Sequence, residues 1–190
     1  MLLITLLGPA EAKLGKNARL VYLHGAWVWT SLITFVASGF VGMIGIVVFW
    51  LDRKVIVFHQ WSRALSRTGL LFWITYLPLS LWAMQTNWNG LFLAEPRWRL
   101  AVIFAVAGLL LQLGLSMLPV AWSSFFNPAY ILTLFLFIMQ TETVMHPINP
   151  LQSDGAQRIQ LFFGALTILL IATSWQLARW FKSKEDKAIA

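Results

Sequence analysis

The sequence predicts an all-α protein, a polytopic bundle of transmembrane helices forming one domain over residues 1–190, and three observations carry that expectation. The chain is 59% hydrophobic and only 11% charged, whereas soluble domains average about 25% charged residues. Uncharged stretches run from Leu20 to Trp50, Thr68 to Ala94, Leu100 to Thr141 and Ile159 to Ala178, and a helix needs roughly 20 residues to cross hydrocarbon. The 11 tryptophans include Trp27, Trp50, Trp82, Trp88, Trp98, Trp122 and Trp180 near the ends of these stretches. That is where an amphipathic ring with one N–H donor is most comfortable.

Taken in order, Met1–Leu7 is apolar but too short to span, lacks a basic leader and stops at Gly8-Pro9, so it reads as a helical stub and not as a secretory signal. The first span, about 20–50, is longer than a ~30 Å hydrocarbon core demands, which leaves His24 at the interface. Along it Gly39, Gly42 and Gly45 recur at three-residue intervals and predict close helix–helix contact. The basic segment Asp52–Arg67 reads as a loop containing an amphipathic surface helix, with His59 a solvated residue in it. A second span follows at about 69–86, then an Asn87–Arg99 loop. The stretch after Leu100 is about twice the length of one span and is interrupted by Pro119, Asn127 and Pro128, so it divides into spans at about 99–120 and 128–146. The last span covers about 158–180, giving five spans plus the stub.

Charge sets the orientation. Arg53, Lys54, Arg63 and Arg67 share a side with Arg179, Lys182, Lys184 and Lys187 if there are five spans, and the excess of basic residues makes that side cytoplasmic. The amino terminus, His24, the Asn87–Arg99 loop and His146 then face outward, with the carboxyl terminus inside. The formal charge of +7 is spread over juxtamembrane segments, which suits contact with anionic lipid and argues against nucleic acid. No Walker A loop, dinucleotide-binding glycine pattern or HExxH helix is present. The absence of cysteine excludes disulfides, iron–sulfur clusters and thioether attachment of haem.

Two imidazoles stand out. His146 follows Met145 and precedes Pro147 at the expected end of the fourth span, with Glu142 one helical turn earlier to fix its tautomer. His24 precedes Gly25 and Ala26, which allow a flat group or a neighbouring helix to approach closely. An interfacial Glu–His pair and a helix-start histidine without ligands explain each residue taken alone. Arg97 and Arg99 bracket Trp98 and can neutralise carboxylates through forked hydrogen bonds, or snorkel from a helix start.

The run Gly8-Pro9-Ala10-Glu11, Gly15 and Arg19-Leu20-Val21-Tyr22-Leu23-His24-Gly25-Ala26-Trp27 resembles the segment around the first external histidine of the CcmC/CcsA family, the haem-handling membrane proteins of cytochrome c biogenesis. Gly69-Leu70-Leu71-Phe72, Ser80-Leu81-Trp82-Ala83 and Trp88-Asn89-Gly90 followed by Glu95-Pro96-Arg97 are similar to the family's third helix and the start of its tryptophan-rich loop. His146 falls where the second external histidine stands. The likeness extends from about Gly8 to Arg179 and rests on the order of elements. The chain departs from the family in its thinned loop, Leu91-Phe92-Leu93-Ala94-Glu95, and in lacking a complete first helix.

The resemblance implies transient haem binding and delivery at the outer face of a bacterial cytoplasmic membrane, without enzymatic turnover. His24 and His146 would be the axial ligands; Trp27, Trp88, Phe92 and Trp98 the aromatic surroundings; Glu95 the counterpart of the loop's aspartate; and Arg97 and Arg99 the partners of the propionates. It also implies other membrane subunits as partners, among them an ABC-type transporter and a haem chaperone. A scaffold subunit that does not bind haem, a resident b-type cytochrome and a small transporter remain open from the residues alone, the last disfavoured by the lack of mid-membrane charges.

Overall fold

Long apolar segments leave the backbone no partner except itself, and the chain answers with helices. The computed structural model describes residues 2–51, 56–142 and 156–189, which form α1 (Leu2–Thr5), α2 (Ala18–Leu51), α3 (Ile56–Trp88), α4 (Pro96–Ser116), α5 (Trp122–Gln140) and α6 (Gln157–Ile189). Among the described residues there is no strand, only an isolated antiparallel bridge between Glu11 and Gly15. Gly15 there takes a positive φ of 56°, which closes the tight turn that a Cβ would oppose.

Among the described residues, four helices are long and apolar enough to cross a membrane: α2, α4, α5 and α6. The five expected spans are therefore not matched. The helix that departs is α3, which at 33 residues, or about 50 Å, is about as long as α2 and α6 but joins an apolar half to a half bearing His59, Gln60, Arg63 and Arg67. The reason lies in its position. It packs against α2 most extensively and also against α4, α5 and α6, so the polar side chains of its first half meet protein. The expected surface helix in the Asp52–Arg67 segment is corrected in the same way. From Ile56 onward the chain is already in α3, and His59 and Arg63 are both buried, at 5% exposure each.

The other boundaries move less. α4 begins at Pro96, where proline needs no N–H partner in the first turn, and ends at Ser116. α5 begins at Trp122, six residues before the expected 128, and carries Pro128 inside it; the turn between the two helices is 117–121. α5 also ends early, with Thr141 extended, so Glu142 is exposed and beyond the helix. Its expected one-turn relation to His146 lies outside the described residues. The stub expected at the amino terminus is the single turn of α1, with Leu3, Leu6 and Leu7 exposed.

The chief core is aromatic. Phe35, Leu70, Trp73, Tyr76, Ala101, Phe104, Tyr130 and Leu134 form one buried cluster shared by α2 to α5. Trp73 Nε1 donates to Ala101 O at 2.9 Å and Tyr130 Oη to Phe104 O at 2.7 Å, so neither polar tip is stranded in the apolar interior. α6 presents one narrow stripe, Leu166, Leu170, Ser174 and Ala178, all buried at four-residue spacing, while Leu161, Ile168 and Trp175 are exposed.

The expected role of the α2 glycines is seen directly. A Cβ on Gly39 would lie 3.0 Å from Ile131, one on Gly42 would meet Ser62 Oγ at 3.0 Å and Ser124 O at 3.1 Å, and one on Gly45 would meet His59 Nδ1 at 3.0 Å. α2 and α5 run antiparallel, since Phe35 touches Tyr130 while Gly42 touches Ser124. The start of α2 and the end of α5 therefore share one end of the bundle.

Candidate functional site

The end of the bundle that holds the start of α2 contains most of the residues singled out in the sequence. His24 is half-buried, and its ring lies 5.6 Å from that of Tyr76, a buried residue of α3. One turn on, Trp27 packs on Phe72 at 5.1 Å and donates from Nε1 to Thr75 Oγ1 at 2.9 Å. Asn17 Nδ2 reaches Thr86 O at 3.2 Å, tying the start of α2 to the end of α3.

Trp88 closes α3 half-buried, and Asn89 after it takes a positive φ of 54°, a conformation that asparagine tolerates better than most residues. This turns the chain into the 89–95 connection. Phe92 is partly exposed there and lies over Gly90. Glu95 is buried, and its carbonyl accepts Arg99 N–H at 3.0 Å in the first turn of α4. Arg97 is exposed; Arg99 is exposed too and donates from Nε to Leu93 O at 3.2 Å. Trp98, between them, is half-buried with its indole N–H out of solvent and unpartnered, as is the side-chain oxygen of Asn87. A buried polar atom without a partner costs about 1–3 kcal/mol, so these two atoms mark where a polar ligand group or water would be welcome.

An apolar cleft of about 480 Å³ opens beside this end, lined by Leu23, Trp27, Thr75, Pro78 and Trp82 together with Leu3 of α1. His24 is not in its lining; the imidazole faces α3 through Tyr76. The structure thus gathers His24, Trp27, Trp88, Trp98, Arg97 and Arg99 at one end, and α5 ends there as well. His146, the other expected ligand, lies outside the described residues. Among the described residues no group of three or more metal-ligating side chains occurs.

The opposite end holds an arrangement that the sequence did not disclose. His59 Nδ1 and Ser124 Oγ share a hydrogen bond of 2.6 Å. Arg63 donates from Nε to Ser123 Oγ at 2.8 Å and from Nη2 to Leu118 O at 3.0 Å, and lies 3.5 Å from Glu185 of α6. Arg67 pairs with the same carboxylate. Asn127 Nδ2 donates to Ser62 O at 3.1 Å and Ser62 Oγ at 3.0 Å, while its Oδ1 accepts from Gln112 Nε2 at 3.1 Å; Gln112 Nε2 also reaches Ser66 Oγ at 2.9 Å. Ser38 of α2 adds a bond to Ser62 O at 2.7 Å.

This network is buried, and a helix bundle in lipid gains from such bonds because the alternative is a polar group in hydrocarbon. Gln112, Asn127 and the Ser123-Ser124 pair mark it in the sequence, as polar interruptions of an otherwise apolar run.

Fold and site together define an all-helical protein of membrane type, with a polar interior at one end and an aromatic, arginine-flanked surface at the other. No protein-family model, curated protein or solved structure matches the chain.

Proposed function

We propose that the His24 end is a docking surface for haem on the extracytoplasmic side of a membrane, held loosely enough to be handed to an acceptor. The observation that carries this reading is the company His24 keeps: a half-buried imidazole backed by Tyr76, with the unpartnered indole N–H of Trp98 and two exposed guanidiniums at the same end of the bundle. His24 would supply one axial nitrogen and His146 the other, which is the coordination a bound haem iron takes from two neutral imidazoles. Arg97 and Arg99 would pair with its carboxylates, and Trp27, Trp88 and Phe92 would shield its faces. The resemblance of Arg19–Trp27 and of Trp88–Arg97 to the haem-handling family supports the same assignment. So does the basic character of the other end, which favours a cytoplasmic location for it.

Purified protein in detergent, titrated with hemin, tests the proposal. The expected result is a bis-histidine absorption spectrum that is lost in His24→Ala and in His146→Ala and that passes to an apo-haem protein on mixing. A tight spectrum that no acceptor removes would favour a resident cytochrome. The absence of any spectrum would overturn the reading in favour of a scaffold subunit. One observation speaks for that second reading: the most elaborate polar construction, around Asn127 and Arg63, joins helices to one another.

A further inference from the structure

The geometry points to a strap at the Arg63 end: the last turns of α6 close this end of the bundle, Glu185 is their catch, and acidic lipid headgroups release it. This inference does not depend on haem. Two guanidiniums, Arg63 and Arg67, face a single carboxylate, Glu185, so the closed arrangement carries one surplus positive charge. Arg63 is the buried partner, with a side-chain exposure of 6%, and Arg67 the accessible one, at 24%. A phosphate at the membrane surface can therefore reach Arg67 from outside and offer the surplus charge a partner that the protein does not supply.

Apart from the buried Ala178, the strap is otherwise held by surface contacts. Trp61 stacks on Trp175 with centroids 4.8 Å apart and planes 2° from parallel, and Lys182 lies over the same Trp61 ring at 5.9 Å while pairing with Asp186 at 2.7 Å. Between Arg179 and Asp186 no residue of α6 is buried, so exposed ion and cation–π pairs hold this part of the strap weakly. Beyond them the segment is suited to an anionic surface. Trp180 is half exposed with Lys184 at 5.6 Å from its ring, an amphipathic pairing that seats at the headgroup level.

Anionic lipid thus acts on both sides of the catch. It attracts the lysines of the strap and Arg67, and it repels the Glu185 carboxylate. Once Glu185 leaves, Arg63 keeps only Ser123 Oγ and Leu118 O. A buried cation without its anion is unfavourable enough to pull the 117–121 turn and the start of α5 with it.

The chain has no native cysteine, so spin labels at Met117→Cys and Ser183→Cys report the distance between that turn and the strap in the full-length protein. In phosphatidylcholine nanodiscs one narrow distance is expected. Adding phosphatidylglycerol should introduce a second, longer population, and Glu185→Gln should produce that population in phosphatidylcholine alone. Arg67→Gln, which removes the surplus charge, should stay closed in phosphatidylcholine and lose most of the response to phosphatidylglycerol. A distance distribution unaffected by phosphatidylglycerol overturns the proposal. So does opening by inorganic phosphate in phosphatidylcholine discs, which would assign the release to a free anion.

Discussion

The two ends of this bundle handle polarity in opposite ways. At the Arg63 end, side chains of α2, α3, α4, α5 and α6 pair with one another inside the protein, leaving the Gln112 Oε1 without a partner, and the hydroxyls of Ser38, Ser62, Ser123 and Ser124 are buried along with their partners. At the His24 end, polar groups sit at the rim, Arg97 and Arg99 are exposed, and buried polar atoms of Trp98 and Asn87 have no partner in the protein. At one end the polar groups join helices to one another, and at the other the two arginines stay open to solvent. Internal satisfaction fixes a structure, whereas unsatisfied groups at a surface leave energy for a ligand.

The contrast can be broken most forcefully at Arg63. Arg63→Ala removes the group that fastens Ser123, Leu118 and Glu185 to α3, and a loss of about 3–5 kcal/mol is expected for taking one partner from a buried charged network. Unfolding of detergent-solubilised protein by heat or denaturant measures it. A loss under about 1 kcal/mol would show that the network is incidental.

Asn127→Ala comes next. It strands the Ser62 and Gln112 groups that Asn127 pairs, and about 2–3 kcal/mol should be lost. Gly42→Ala tests packing in place of polarity. Its Cβ would press Ser62 Oγ and the backbone of Ser124, so about 1–3 kcal/mol is expected from overpacking, with Gly114→Ala as the neutral control, because nothing lies within 4 Å of the added atom. The smallest effects belong to the other end. Trp27→Phe should cost about 1 kcal/mol through one lost hydrogen bond, and Arg97→Ala should leave stability within about 0.5 kcal/mol while weakening hemin binding. If Arg97→Ala destabilised the fold as much as Asn127→Ala, the division between the ends would fail.

The sequence revealed the apolar helices well, because uncharged runs bounded by tryptophan and proline are direct consequences of a hydrocarbon solvent. It also brought His24, Trp88, Trp98 and the two arginines to a common end through simple alternation of crossings. Its failures have one physical origin. Hydropathy along the chain does not distinguish a helix facing lipid from one facing other helices, so from sequence the polar half of α3 looks like a surface helix in a loop and His59 like a solvated residue. Arg63 and Glu185 come from distant parts of the chain, and nothing local to either marks the other. Pro128 misled in a different way, since a proline that usually ends a helix is carried within α5.

The central position of α3 also bears on how the chain enters a membrane. A segment with Arg63 and Arg67 in it partitions poorly into oil by itself, whereas its predecessor α2 does so readily. Only residues 52–55 separate the two, so the pair forms a natural insertion unit. The second helix should leave the translocation channel only when the first is there to receive it.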